Sequence, residues 1–163
     1  MIFYNIRPGH RPRVWAFAGA MTVKAILENK GADVATIEPT ADLASVVTLL
    51  AERRIGALVV ASPDRRVAGI VSERDIIRVL AERGAAALQQ PVEQVMTREV
   101  VTCTRAEALS SIMELVTAGK FRHLPVVEEN RLIGIVSIGD VVKYRVQQFE
   151  FESAALRDYI SYA

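Results

Sequence analysis

Two junctions in the chain each bring a hydroxyl and a carboxylate together: Ser72 with Asp75, and Ser137 with Asp140. Both stand in one repeated pattern, Gly-Ile-Val-Ser-x-x-Asp, at residues 69–75 and again at 134–140. In each copy an apolar strand runs through Gly into Ser, and the Asp stands three residues on, before a new apolar run. A Ser followed at the third position by Asp suits a helix start, where side-chain oxygens accept from free backbone N–H groups and a carboxylate complements the dipole. The same helix start offers its N–H groups to an anionic ligand. The pair is open to both readings, helix cap and binding site.

A second chemically able group is cationic. The second copy carries Lys120, Arg122 and His123 where the first has Arg54, Gly56 and Ala57. A planar guanidinium holds two phosphate oxygens at once; the bland alternative is a solvated strand end. Arg74, between Ser72 and Asp75, is a further phosphate candidate, against the commoner role of an exposed helix residue. The inventory for catalysis is thin. His10 and His123 stand without a nucleophile and an orienting acid at motif spacing. One cysteine, Cys103, and two distant histidines make no metal set. Neither a phosphate loop of the GxxxxGK[ST] type nor a GxGxxG fingerprint is present. The expectation is a sensor that is not an enzyme and needs no metal.

The elements that carry these groups recur too. Leu43, Val46, Val47 and Leu50 return 66 residues on as Leu109, Ile112, Met113 and Val116. Each quartet falls at i, i+3, i+4, i+7, which predicts a helix with one apolar face. The offset drops to 65 after the turn Ser62-Pro63-Asp64-Arg65, which is one residue shorter in its second version, Glu128-Glu129-Asn130; surface turns tolerate such a change. Each copy reads strand, helix, strand, turn, strand, helix. First strands are expected at 34–38 and 100–103, and paired strands at 57–61 with 67–71 and 124–128 with 132–136. Thr40 and Thr104 are expected to cap the first helices, Thr104 with Glu107 in capping-box spacing. Closing helices are expected from about 72–83 and from 137 onward, and short helices near 22–28 and 91–96. The boundaries follow: an extension at 1–20, a first repeat at 21–83, a linker at 84–90, a second repeat at 91–148 and a helical tail at 149–163.

Composition fits a globular chain. With 163 residues and 51% hydrophobic content, folding buries about 70% of the unfolded surface. The net charge of +1, from 20 basic and 19 acidic residues, demands neither nucleic acid nor a membrane, and no apolar run approaches the roughly 20 residues that span a bilayer. The lone cysteine suits a reducing compartment, and the expectation is a cytoplasmic protein. In residues 1–20, Arg7, Arg11 and Arg13 precede an apolar stretch from Val14 to Ala20 that is short for a signal peptide. That segment is read as an upstream extension held against a partner copy, with Met21 as an alternative start.

These features resemble a tandem pair of cystathionine beta-synthase (CBS) domains, a Bateman module of the stand-alone bacterial type, over about residues 22–148. The resemblance rests on the doubled closing motif, on Phe121-Arg122-His123-Leu124-Pro125-Val126-Val127, and on Pro91-Val92-Glu93-Gln94-Val95-Met96-Thr97. It implies an α/β (α+β) fold of two β-α-β-β-α repeats packed through their sheets with pseudo-twofold symmetry, leaving two clefts for adenosine-containing ligands. It further implies that Asp75 and Asp140 accept from both ribose hydroxyls, with Ser72 and Ser137 beside them. An acceptor-only carboxylate facing a vicinal diol is reasonable chemistry for this. By the same resemblance Lys120, Arg122, His123 and Arg74 contact phosphate, and Thr36, Ile37, Thr102, Cys103, Ile70 and Ile135 line the adenine pocket. Gly56 and Ala57 are a further place with room for a base. Cys103 itself reads as a small buried hydrophobe rather than a reactive thiol. The uneven basic residues imply clefts that differ, one better equipped for phosphate.

The function implied is an energy-sensing regulator that binds AMP, ADP, ATP or NADH and acts, as a homodimer, on a separate protein. The aromatic tail, Phe149, Phe151, Leu156, Tyr159, Ile160 and Tyr162, is expected to pack on the chain's own body or on a second copy. Two alternatives stand beside this: a binder of an S-adenosylmethionine-type ligand, and an interaction module with empty clefts. The basic residues favour phosphate over a sulfonium, and near-neutral charge argues against nucleic acid.

Overall fold

The structure is a computed structural model that describes residues 21–31, 33–119 and 121–161. The extension at 1–20, Lys120 and Tyr162 lie outside the described residues, as do the side chains of Leu156, Tyr159 and Ile160. The described elements run α1 (Val23–Lys30), β1 (Thr36–Ile37), α2 (Leu43–Arg53), β2 (Ala57–Ala61), β3 (Val67–Ser72) and α3 (Glu73–Arg83). After 3-10 turns at Ala85–Gln89 and Val92–Gln94 come α4 (Leu109–Gly119), β4 (His123–Glu128), β5 (Arg131–Ser137) and α5 (Ile138–Ser161).

The apolar stripes behave as helical periodicity requires. Leu43, Val46 and Leu50 of α2, and Leu109, Ile112 and Val116 of α4, are buried. The cap of α2 differs from expectation: Asp42, not Thr40, accepts from the Ser45 N–H at 2.8 Å. In the second copy the Thr104 N–H donates to Glu107 at 2.8 Å, but this closes a turn ahead of a helix that begins at Leu109. The expected tail is not a separate element either, because α5 runs unbroken through it. Phe149 on that helix is 73% exposed and so does not pack on the chain's own body.

β2 lies between β1, which is parallel to it, and β3, which is antiparallel. In the second repeat β4 pairs antiparallel with β5, and a single parallel bridge from Cys103 to Val126 stands where β1 would be. The first strands are therefore shorter than expected. Alternation along β2 separates two environments. Leu58 and Val60 face the helices of the first repeat, whereas Val59 and Ala61 meet Leu132 of β5 between the two sheets.

The segments ahead of the repeats are exchanged. Val23, Ile26 and Leu27 of α1 bury in the second core, with Leu109, Ile112 and Val141. Ala87 of the linker, with Val92, Val95 and Met96 from the segment expected to open the second repeat, completes the first core. Backbone bonds fix the exchange: Val23 N–H to Glu107 carbonyl at 2.9 Å and Lys24 N–H to Arg105 carbonyl at 2.8 Å, matched by Val92 N–H to Ala41 carbonyl at 2.8 Å and Glu93 N–H to Pro39 carbonyl at 3.1 Å. These crossings hold the backbone around residues 39–42 and 105–108 in turns, which is why the helices start later than Thr40 and Thr104 suggest.

Beyond the linker turn, Ile70 and Thr97 exchange two backbone hydrogen bonds, 3.0 Å and 2.9 Å, and press Met96 onto Gly69. A Cβ at Gly69 would overlap the Met96 sulfur and stand 2.9 Å from the Thr97 carbonyl oxygen. Gly69→Ala is therefore expected to destabilise the fold by about 1–3 kcal/mol, as overpacking does, read as a lower melting temperature. Gly56→Ala, whose Cβ would meet nothing closer than 3.6 Å, is the control and should change little.

Candidate functional site

Both Ser-Asp pairs cap their helices. At α3 the Ser72 N–H and hydroxyl donate to Asp75 Oδ2 at 2.9 and 2.6 Å, and the Asp75 N–H returns a bond to Ser72 Oγ at 3.4 Å. At α5 the Ser137 N–H and hydroxyl donate to Asp140 Oδ2 at 2.8 and 2.7 Å, and the Asp140 N–H donates to Ser137 Oγ at 3.2 Å. The third donor breaks the symmetry. Arg78 takes the outer oxygen of Asp75, Oδ1, at 2.9 Å. Lys30 Nζ instead joins Asp140 Oδ2 at 2.8 Å and reaches the Ile135 carbonyl at 3.3 Å. Among the described residues no donor engages Asp140 Oδ1.

Beside this second junction lies a cavity of about 430 Å³. Its apolar lining comes from Val34, Ala35, Ile55 and Ile135; Lys30, Arg53 and Arg54 bring positive charge, Asp33 a negative one, His123 an imidazole and Ser137 a hydroxyl. Arg53 pairs with Asp33 at 3.6 Å, and Arg54 has no carboxylate within ion-pair distance among the described residues. Arg54 closes α2 in a left-handed conformation (φ 53°). A smaller cavity of about 170 Å³ adjoins, with Asp140, Lys143 and Tyr144 in its wall, and Lys30 belongs to both.

Electrostatics follow from this crowding. Burial acts to raise the Asp140 carboxyl, but the Lys30 ammonium and the amide and hydroxyl of Ser137 outweigh it and hold the group below the usual carboxylate value. Burial, and next the charge of Lys30, lower the His123 imidazole. Burial, with Glu107 nearby, pushes the Cys103 thiol up to about 12, so it is an inert core group.

Of the residues singled out in the sequence, Ser137, His123 and Ile135 line the larger cavity and Asp140 the smaller. Ser72 and Asp75 lie at the other junction, and Arg74 is exposed on α3. Arg122 is exposed, its carbonyl accepting from the Ile138 N–H at 2.9 Å. Ile37 packs against the first core and Cys103 is buried in the second. Thr36 is exposed, and Thr102 and Ile70 are half-buried. The wall of the cavity is thus built slightly upstream of Thr36 and Ile37, by residues 33–35 before they enter the ladder with β2. Sequence reasoning missed Lys30, Arg53 and Arg78. For Arg78 the signal was its place three residues after Asp75, where oppositely charged helix neighbours meet. Among the described residues no cluster of His, Cys, Asp and Glu could hold a metal, and no helix is long and apolar enough to cross a membrane.

The CBS domain family model matches residues 23–82 and 92–147. A mitochondrial CBS domain-containing protein of Arabidopsis thaliana is 33% identical over 147 residues, covering 85% of this chain and 71% of that protein. The crystal structure of a CBS-domain containing protein from Agrobacterium tumefaciens superposes with a TM-score of 0.74 at 46% identity, over 76% of this chain and 98% of the other. A CBS domain protein from Pyrobaculum aerophilum complexed with AMP gives 0.66 at 29% identity, over 73% and 88%.

A carboxyl held low in the folded chain adds stability above its unfolded pKa of about 3.9 and loses that stability as pH falls through the depressed folded value. Carbon-detected NMR titration should therefore find Asp140 below the usual value, and Lys30→Ala should raise it and move the acid limb of melting to higher pH. An Asp140 titration indifferent to Lys30 would contradict this geometry.

Proposed function

The chain belongs to the CBS domain family, with two copies in tandem, and from that premise we propose that it is a non-enzymatic regulatory module binding an adenine nucleotide in the cleft beside Asp140. The observation that carries the reading is a carboxylate already fixed by its cap and still open at Oδ1, in the wall of the smaller cavity that shares Lys30 with the larger. A cavity of about 430 Å³ falls in the range of roughly 300–1,000 Å³ for small-molecule sites. Its apolar walls suit a base, Asp140 and Ser137 suit a ribose diol, and Lys30, Arg54 and His123 suit phosphate. The AMP bound by the Pyrobaculum relative supports the ligand class.

AMP, ADP, ATP and NADH share the adenosine 5′-phosphate these groups address. The cations disfavour a sulfonium such as S-adenosylmethionine. By the repeat offset, a second cleft beside Asp75 would use Lys120 and Arg122 where the first uses Arg54 and Gly56, with Ile70 in the place of Ile135. Asp75 is the weaker acceptor of the two, since Arg78 already holds its outer oxygen.

Regulation is exerted on a separate protein, and the module works as a homodimer. Exposed apolar side chains support a second copy because they recur at the repeat offsets: Val47 with Met113, and Ile77 with Val142. A pseudo-symmetric apolar face of this kind is self-complementary about a twofold axis. Replacing Ile77 and Val142, 68% and 48% exposed, by Asp is expected to convert a dimer to a folded monomer in sedimentation equilibrium; an unchanged mass would remove this face from the interface.

Thermal melting tests the ligand. At about 100 times its dissociation constant a ligand adds roughly 2.7 kcal/mol, a rise of about 5–10 °C for a chain of this size. AMP or NADH should give that rise and S-adenosylmethionine should not. Asp140→Asn, which keeps an acceptor for the cap, should remove most of the rise, while Asp75→Asn should retain it. Absence of a shift with every adenine compound would leave an interaction module without ligand.

A further inference from the structure

Lys30 occupies a position that the nucleotide reading alone does not explain. Its ammonium sits on Asp140 Oδ2, the oxygen that already takes the Ser137 N–H and hydroxyl, and it also lines the cavity. A carboxylate oxygen offers about two lone-pair directions, and Oδ2 already shares them among three donors, so a fourth finds no place. One hydroxyl of a ribose diol can use the open Oδ1. In a bidentate grip, with one oxygen to each hydroxyl, the second takes Oδ2 in place of one of its three donors. The Ser137 N–H and hydroxyl are fixed by the helix cap, whereas Lys30 ends a flexible four-carbon stem in the last turn of α1 and is 38% exposed along its side chain.

A displaced ammonium would then lie beside Arg54, the cleft cation with no carboxylate partner among the described residues, and beside Arg53, whose charge Asp33 offsets, without its own carboxylate. An uncharged nucleoside leaves it in that state, and a sulfonium adds one more like charge. A phosphate group restores a counter-ion at the moment the carboxylate is taken. At the other junction the equivalent cation, Arg78, binds Asp75 Oδ1 from the surface of α3 with 58% of its side chain exposed; released there, it returns to water, and no such exchange operates.

We infer that Lys30 is the charge-selecting residue of the cleft: capture of the sugar by Asp140 and of phosphate by Lys30 are one exchange, so the cleft takes phosphorylated adenosyl ligands and rejects unphosphorylated ones. This rests on the nucleotide reading of the same cleft. The exchange also gives the ligand a mechanical output, because the Lys30 contacts tie α1 to β5 and α5.

Isothermal titration calorimetry with AMP and adenosine, on wild type, Lys30→Met and Lys30→Arg, separates the two ideas. Wild type should prefer AMP by well over tenfold. Lys30→Met should weaken AMP and tighten adenosine, shrinking the preference by about tenfold, the size of one charge-assisted hydrogen bond in a part-exposed site; Lys30→Arg should keep most of it. Equal weakening of both ligands by Lys30→Met, or no change in either, overturns the selection role while leaving nucleotide binding intact. If AMP fails to bind wild type, the nucleotide reading itself falls, and the role of Lys30 falls with it. Circular dichroism melting of the apo variants verifies that each remains folded.

Discussion

Exchange of the two leader segments is the constraint from which the rest of the architecture follows. Residues 21–24 lie on the turn that opens the second repeat and residues 90–93 on the turn that opens the first, through the same three-bond ladder in each case, including Leu109 N–H to Met21 carbonyl at 2.8 Å and Leu43 N–H to Gln90 carbonyl at 3.0 Å. Neither repeat has a complete core without chain from outside it. Val23, Ile26 and Leu27 must therefore be carried across, and the end of α1 arrives at β5 and α5. The chain then returns to the first repeat through residues 33–35, and that return forms one wall of the cavity. The cavity is a consequence of the crossing.

The crossing is executed differently on its two sides. At the first repeat the linker backbone pairs with the edge of the closing strand, Ile70 exchanging two main-chain bonds with Thr97. At the second repeat the equivalent carbonyl, that of Ile135, receives a side chain, the ammonium of Lys30. A peptide N–H is neutral and fixed; an ammonium is charged and can leave. The duplicated frame thus contains one sealed edge and one edge closed by a movable charge. The capping boxes do complementary work, because each holds its Asp in a single rotamer before any ligand arrives. Capping and binding are compatible roles, since the cap uses Oδ2 and preorganises the rest of the carboxylate, which reduces the entropy lost on binding.

What could be read from the sequence was what local periodicity controls. The helices at Leu43 and Leu109, the paired strands and the Ser-x-x-Asp junctions were legible because each is specified within a few residues and written twice. The helix starts were not, because Thr40 and Thr104 are excellent caps in isolation and are overruled by hydrogen bonds from residues some 50 to 80 positions away. The upstream wall of the cavity was not legible for a related reason. Thr36 and Ile37 enter a ladder with Val59 and Val60, and strand alternation then turns Ile37 into the core, leaving residues 33–35 to face the cavity. Lys30 carried no signal at all: its meaning depends on Asp140, 110 residues away.

Charge shows most clearly how whole-chain averages conceal a site. A net charge of +1 gave no reason to expect an anionic partner, yet the fold gathers Lys30, Arg53 and Arg54 around one cavity with Asp33 as the carboxylate in its lining. Part of that charge is neutralised in place, Arg53 by Asp33 and Lys30 by Asp140. Concave walls concentrate what remains. At the repeat-equivalent positions, Gly119 stands for Arg53, Phe121 for Ile55 and Ala57 for His123, so duplication supplied two similar frames and substitution at the cavity lining gave them different electrostatics. A frame whose cores and caps stay alike while its cleft residues diverge keeps one fold and still presents two chemically different junctions.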